Sequence, residues 1–194
     1  MDNGNVLGIR FEVLSTKQRA FQAPYYVLLN QPNGDGQLRV HKHTIPVFIP
    51  MHRLVKKYLP FIADAKDASL LKSAVAAQDL SKFVRALRKE LIAHHKRVEA
   101  CEQLKKDLGR RQGVEEVKML DVSGREIEII FVEHMLARIR VGTDGAIERA
   151  VTGPSKTAPD DGAGSMQVYR EIKKVIEGGS GRIDDLAERL QRRA

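Results

Sequence analysis

The most regular hydrophobic pattern in the chain runs from Asp79 to Leu108. Apolar residues recur there at alternating steps of four and three, which places them on one face of an α-helix. The members of this row are Leu80, Val84, Leu87, Leu91, His94, Val98, Cys101, Lys105 and Leu108. The row predicts one long helix, capped by Gln78 or Asp79, with His94 and Lys105 interrupting a heptad pattern. Rising about 1.5 Å per residue, it is longer than one small domain needs, so we expect it to connect two modules.

Strand patterns fill the region before this helix. Between residues 7 and 13 apolar and polar positions alternate, which predicts a strand with one buried face. Residues 24–31 are apolar at consecutive positions, which is typical of a central strand or of one covered by a partner. The turn sequence Pro32–Gly36 predicts that residues 38–43 return antiparallel. Together these patterns predict a small antiparallel sheet.

Two prolines hold a short apolar segment next to this sheet. Each proline pushes the residue before it away from the α conformation, so the segment is expected to be stiff. We call it the strap; its defining residues are Ile45, Pro46, Phe48, Ile49 and Pro50. The preferred interpretation is structural, with the strap packing the sheet edge onto the short helix that ends before Pro60. The alternative is a docking motif for another protein.

A second strand pattern follows the long helix. Alternation between residues 114 and 151 predicts four strands, with turns at Ser123-Gly124 and Gly142–Gly145. Arg138 and Arg140 are expected to face Glu126, Glu128 or Glu148 across the sheet. Composition predicts a mobile linker over residues 153–165, and two amphipathic helices are expected after it.

Several of these segments resemble a known family. The strap sequence HTIPVFIP, the following KKYLP and the later QDLSKFVRALRKEL are similar to the Cenp-O family of inner-kinetochore proteins, in its fungal branch. The Pro46-x-x-x-Pro50 spacing also resembles the proline signature of RWD domains, with Ile45 where that signature usually has Tyr. The resemblance implies an α+β fold of tandem RWD-like domains, each a small antiparallel sheet packed on helices, joined by the long helix. We place the domains at residues 1–77 and 78–194.

The resemblance also implies a function. It implies a non-enzymatic structural subunit of the inner kinetochore, in the nucleus at the centromere, that helps chromosome segregation in mitosis. The implied partner is a Cenp-P-like subunit, as a heterodimer in a COMA-type complex of the constitutive centromere-associated network. Cenp-Q-like and Cenp-U-like subunits are further implied partners, and we expect the second domain to receive them. The interface residues that we propose from the apolar patterns are Leu87, Leu91, Val98, Ile139, Val141, Tyr169 and Ile172.

Charge suggests an alternative function. Residues 50–111 hold 15 basic and 7 acidic side chains, so the excess positive charge lies in the central helical region. Contact with nucleic acid at chromatin would use exposed basic residues of the long helix, namely Arg85, Arg88, Lys89 and Lys96. Because these charges surround the helix without interleaved aromatic residues, a solvated helix face is the preferred interpretation.

The candidate chemistry is sparse. Cys101 is the only thiol and lies in the helical row, so we expect a buried core residue and not a nucleophile. His41 and His43 are two apart on a strand but have no further ligands at suitable spacing, so no zinc site is expected. We predict no catalytic residues, no metal and no cofactor. No apolar run approaches 18 residues, which predicts a protein without a membrane span.

Overall fold

The computed structural model divides the chain into two compact units, residues 1–92 and 93–194. The boundary falls inside the long helix. The expected boundary between RWD-like domains, at residues 77 and 78, stays a prediction. The described residues are 6–15, 17–32, 36–61, 73, 77–109, 113–132, 134–155 and 165–192.

The first unit contains an antiparallel sheet followed by the strap and a helix. Its strands are β1 (Val6–Phe11), β4 (Tyr25–Asn30) and β5 (Arg39–His43), in the order β1-β4-β5. Strand β4 is therefore central, as its consecutive apolar residues predicted. A separate two-stranded hairpin pairs β2 (Leu14–Ser15) with β3 (Ala20–Phe21). At two residues per strand it is too short to produce a periodic pattern, so no pattern in the sequence predicted it.

One face of this sheet builds the first core. Val27 and Leu29 of β4 are fully buried, whereas Leu28 between them is half-buried and the preceding Tyr26 is exposed. Helix α1 (Met51–Tyr58) and the first part of α2 (Leu80–Leu108) complete the unit. The buried apolar residues of this core are Phe11, Val13, Val27, Leu29, Ile45, Ile49, Met51, Leu59, Phe83, Leu87 and Leu91. Leu70, Leu71 and Val75 have helical spacing and predict a further short helix, but these three residues lie outside the described part of the chain.

Helix α2 has the predicted start and end, but its buried face differs from the predicted row. Lys82 N–H donates to Asp79 Oδ1 at 2.8 Å, which is the hydrogen bond of an N-terminal cap. Lys105 is exposed and Leu104 is buried in its place. A straight helix has 3.6 residues per turn, so a strict heptad row drifts about 20° per heptad away from one side. The buried row follows the helical period instead: Phe83, Leu87, Leu91, His94, Arg97, Cys101, Leu104 and Leu108.

The second unit contains the four predicted strands as an antiparallel meander. They are β6 (Val114–Met119), β7 (Glu126–Phe131), β8 (Met135–Val141) and β9 (Ile147–Pro154), in sequence order. The predicted inward residues of β7 and β8 are buried. They belong to the second core, which consists of Ala100, Cys101, Leu104, Leu108, Val117, Ile127, Ile129, Phe131, Met135, Ala137, Ile139, Val141, Ala150, Ile172, Ile176, Ile183, Leu186 and Ala187.

Two helices close the second unit, as predicted. They are α3 (Ser165–Glu177) and α4 (Leu186–Gln191). The guanidinium group of Arg189 donates to the carbonyls of Val175 at 3.0 Å and Ile176 at 2.6 Å, so a side chain of α4 caps the end of α3. The predicted linker was wrong at its start, because Gly153 belongs to β9, where it pairs with Leu136 of β8. Residues 156–164 lie outside the described part.

Candidate interaction surfaces

The strap lies against the first core, and the choice between its structural and docking interpretations stays a prediction. Ile45 and Ile49 are buried there, and Phe48 packs against the same core. Ile49 N–H donates to the Pro46 carbonyl at 3.1 Å, which closes a tight turn, and Pro50 begins α1 by accepting from Leu54 N–H at 3.2 Å. The turn leaves the Val47 side chain fully exposed, at 100% of its accessible surface.

A glutamine fixes the end of α1 to the start of β5. The Gln78 side chain accepts from Leu38 N–H at 2.9 Å and donates to the Leu38 carbonyl at 3.0 Å. The same amide nitrogen donates to the Pro60 carbonyl at 2.8 Å. The sequence analysis considered Gln78 only as a helix cap. Its contact with Leu38 spans 40 positions, which no local pattern could indicate.

A groove lies between the strap, α1 and β5. It has a volume of about 780 Å³, and its lining includes Val40, Val47, Val55, Lys56 and Phe61. The walls are therefore mainly apolar, with cationic and imidazole groups among them.

The outer face of the second sheet combines a charged ladder with an apolar strip. Arg138 Nε contacts Glu128 Oε2 at 2.8 Å, and Arg140 Nε lies 3.7 Å from Glu126 Oε1 and 3.6 Å from Glu148 Oε2. These contacts confirm the predicted cross-strand pairs. Because the arginines are about half exposed, each pair is worth well under about 1 kcal/mol.

The apolar strip lies at the other end of the same face. Ile130 of β7 is opposite Leu136 of β8, and Leu136 is opposite Gly153 of β9. Val151 belongs to this outer face, since it pairs with the outward-facing Arg138, and it is 46% exposed. A β-carbon at Gly153 would meet no atom within 4 Å, so the space above the strip is open. We call Ile130, Leu136, Val151 and Gly153 the apolar strip.

Most of the interface residues proposed from the sequence lie in the cores. Leu87 and Leu91 are buried in the first core, and Ile139, Val141 and Ile172 in the second. Val98 and Tyr169 are half-buried, so a partner reaches only these two without repacking. The buried residues have a structural role on their own, and their part in an interface stays a prediction.

The basic residues proposed for nucleic-acid contact are on the surface. Arg85, Arg88 and Lys89 are exposed on the part of α2 that belongs to the first unit, and Lys96 on the part that belongs to the second. Arg97 is different, since it is only 3% exposed and donates through Nε to the Ser123 carbonyl at 3.3 Å. The helical pattern predicts Arg97 on the sides of the helix away from the apolar row, together with Lys96, and for Arg97 this prediction is wrong.

Arg97 belongs to a buried polar cluster under the turn between β6 and β7. Nδ1 of His94 donates to the Ser123 carbonyl at 3.3 Å. Asp121 Oδ1 accepts from the N–H groups of Arg125 at 2.9 Å and Glu126 at 2.8 Å. Burial raises the pKa of Asp121, but hydrogen bonds from Ser123, Glu126 and Arg125 outweigh it and lower the pKa below its ordinary value. The cluster fixes this turn to α2.

Cys101 lies in the second core, 4% exposed, as predicted. Burial raises the pKa of its thiol to about 11, so the thiolate needed of a nucleophile is disfavoured. His41 and His43 are both exposed on β5. Within the described ranges, no three His, Cys, Asp or Glu side chains are grouped in a way that could hold a metal ion. No helix among the described residues has the length and hydropathy of a membrane span.

The described part of the chain forms two units, each with an antiparallel sheet and helices, and each unit has exposed apolar and charged side chains. The family described as "Cenp-O kinetochore centromere component" matches residues 1–190. The chain therefore belongs to the Cenp-O family, a family of kinetochore and centromere components, which places it at the centromere in the nucleus. The search of curated proteins returned no match.

Proposed function

We propose that the chain is a non-enzymatic structural subunit of the inner kinetochore that pairs with a Cenp-P-like subunit in a COMA-type complex and supports chromosome segregation. The observation that carries the proposal is the family match over residues 1–190. The two units support the further proposal of tandem RWD-like domains, because each packs an antiparallel sheet against helices. The boundary between these domains would lie at residue 77, so that α2 belongs to the second domain.

The second domain is the proposed site for the Cenp-Q-like and Cenp-U-like pair. Its apolar strip offers exposed hydrophobic area in an open space, and the charged ladder beside it supplies polar groups around that area. Partner interfaces commonly have an apolar centre within a polar rim. We expect a partner helix to lie across the strip, with Val98 and Tyr169 as secondary contacts.

Substitutions in the strip test this proposal in the full heterodimer. Leu136→Asp with Val151→Asp should weaken binding of the Cenp-Q-like and Cenp-U-like pair by at least about tenfold in calorimetry, because a carboxylate would be buried at the centre of the interface. The matched control is Leu14→Asp, an exposed residue of the first unit. Unchanged binding in the folded double variant would show that the pair does not bind at this sheet. An equal loss of affinity in the control would show that the effect is not specific to the strip.

Nucleic-acid binding is the second candidate function. The exposure of Arg85, Arg88, Lys89 and Lys96 favours it, because phosphate contacts need accessible cations. A gel shift with nonspecific duplex at moderate salt, compared with co-purification of the Cenp-P-like subunit, separates the two functions. A shift that is lost when these four residues are changed to Gln would favour direct contact with nucleic acid.

A further inference from the structure

The groove of the first unit has an apolar interior that solvent reaches. Val40, Val55 and Phe61 are partly exposed along it, and Val47 at the tip of the strap is fully exposed. A fully exposed valine contributes nothing to the core of its own unit. Side chains of this kind contribute to binding when a partner covers them.

The charges around the groove have a single sign. Residues 36–61 contain five Lys and Arg side chains and no Asp or Glu. Lys56 lines the groove together with His43 and His52. Arg39 is placed at one end of it, because its guanidinium carbon lies 5.5 Å from the centroid of the Phe61 ring. A ligand that enters this groove meets the charge of Lys56, and that of Arg39 beside Phe61, which favours an acidic ligand.

One wall of the groove includes Val40 and His43 of β5, an outer strand of its sheet. Strand β5 is the last strand in the order β1-β4-β5, so in the described part of the chain its second edge has no strand beside it. Gln78 bonds both the N–H and the carbonyl of Leu38, which shows that these groups point away from β4. Alternate residues of a strand direct their backbone groups to the same edge, so those of Val40, a residue that lines the groove, point away from β4 as well.

From these three features we infer that the groove binds an extended acidic segment of a partner protein. The segment adds to the edge of β5 beyond Leu38, places apolar side chains against Val47, Val55 and Phe61, and places carboxylates near Lys56 and Arg39. Backbone hydrogen bonds supply affinity in this mode, and alternating side chains supply specificity. The cations on the edge also disfavour pairing with a neutral or basic strand.

Selection from a displayed library of random 12-residue peptides on the full chain tests the inference. We expect enrichment of peptides that alternate Asp or Glu with apolar residues, and weaker binding as salt is raised. Val47→Asp should weaken the selected peptide by about tenfold or more, because it places a carboxylate on the apolar wall. Lys56→Glu should have a similar effect through charge repulsion. Both side chains are exposed, so the variants should fold.

Each variant has a matched control in the second unit. Val122→Asp and Lys106→Glu make the same changes at exposed positions, and should leave peptide affinity within about twofold of the parent. Enrichment of non-acidic peptides, or equal effects of the groove variants and their controls, would overturn the inference. A proline at the centre of the peptide should abolish strand addition; a selected peptide that tolerates it, or that is helical when bound, would overturn the extended mode.

Other occupants give distinguishable results. Displacement of the peptide by nonspecific duplex would assign the groove to nucleic acid and overturn the inference. Displacement by the Cenp-P-like subunit would support it and identify that subunit as the source of the acidic segment. The proposed interface for the Cenp-Q-like and Cenp-U-like pair lies in the other unit, so a failure of either proposal leaves the other standing.

Discussion

At the scale of single residues, the most consequential side chains are buried polar ones that hydropathy patterns do not identify. His94 is 8% exposed, and burial lowers the pKa of its imidazole, while the hydrogen bond to the Ser123 carbonyl opposes that effect. Neighbouring His95 and Arg97 lower it further. The fold therefore holds His94 in its neutral form, and acid must either charge it inside the core or unfold the turn above it.

This predicts that stability falls as pH falls below the ordinary imidazole value of 6.5. In that range the unfolded chain binds the proton and the folded chain does not, so the free energy of unfolding decreases towards acid by at most about 1.4 kcal/mol per pH unit for each such histidine. Urea unfolding at pH 7.5, 6.5 and 5.5 measures the slope. His95, whose pKa burial also lowers, adds to it with the same sign.

Two variants test whether His94 causes this pH dependence of the unfolding free energy. His94→Leu should reduce it, because the titrating group is gone while Arg97 Nε still donates to the Ser123 carbonyl. His41→Gln removes an exposed imidazole and should leave it unchanged. A slope in His94→Leu equal to that of the parent would show that the acid sensitivity arises elsewhere.

At the scale of elements, periodicity predicted the long strands and helices because burial determined their spacing. Strands β7 and β8 are the clearest case, since Ile127, Ile129 and Ile139 alternate into one core. Strand β9 shows where prediction from alternation fails. Its register shifts opposite Arg140 and Val141, and the shift turns Val151 to the outer face. One irregular residue reverses the faces of a strand, so the apolar strip could not be located from alternation alone.

The strap gives a prediction at this scale. Replacing both Pro46 and Pro50 by Ala should lower the free energy of unfolding by about 1–2 kcal/mol, because the unfolded chain gains freedom and the turn that buries Ile45 and Ile49 loses its fixed angles. Urea unfolding followed by circular dichroism measures the change. Pro154→Ala, at an exposed position in β9, is the control. Unchanged unfolding together with loss of a partner would establish the docking interpretation in place of the structural one.

At the scale of the whole molecule, each unit buries one face of its sheet and leaves apolar side chains on other surfaces. In the first unit Leu14 and Phe21 pair across the β2-β3 hairpin, and both are exposed. In the second unit Val151 is exposed in the apolar strip. The family is one of kinetochore components, and binding to other kinetochore subunits would cover surfaces of this kind. Sequence resemblance could indicate the assembly, whereas the surfaces depend on which side each strand presents, which only the structure gives.

We therefore expect the isolated chain to self-associate at micromolar concentration. Exposed apolar area in two units favours contact between copies, and a cognate partner that covers part of this area should stabilise the chain by mass action. Light scattering coupled to size-exclusion chromatography should show species larger than one chain, and adding the Cenp-P-like subunit should convert them to a single heterodimer with a higher melting temperature. Leu14→Asp with Val151→Asp should reduce self-association, because both carboxylates replace exposed apolar groups. A monodisperse monomer that melts cooperatively without a partner would contradict this expectation, since its exposed apolar area would then not drive contact between copies.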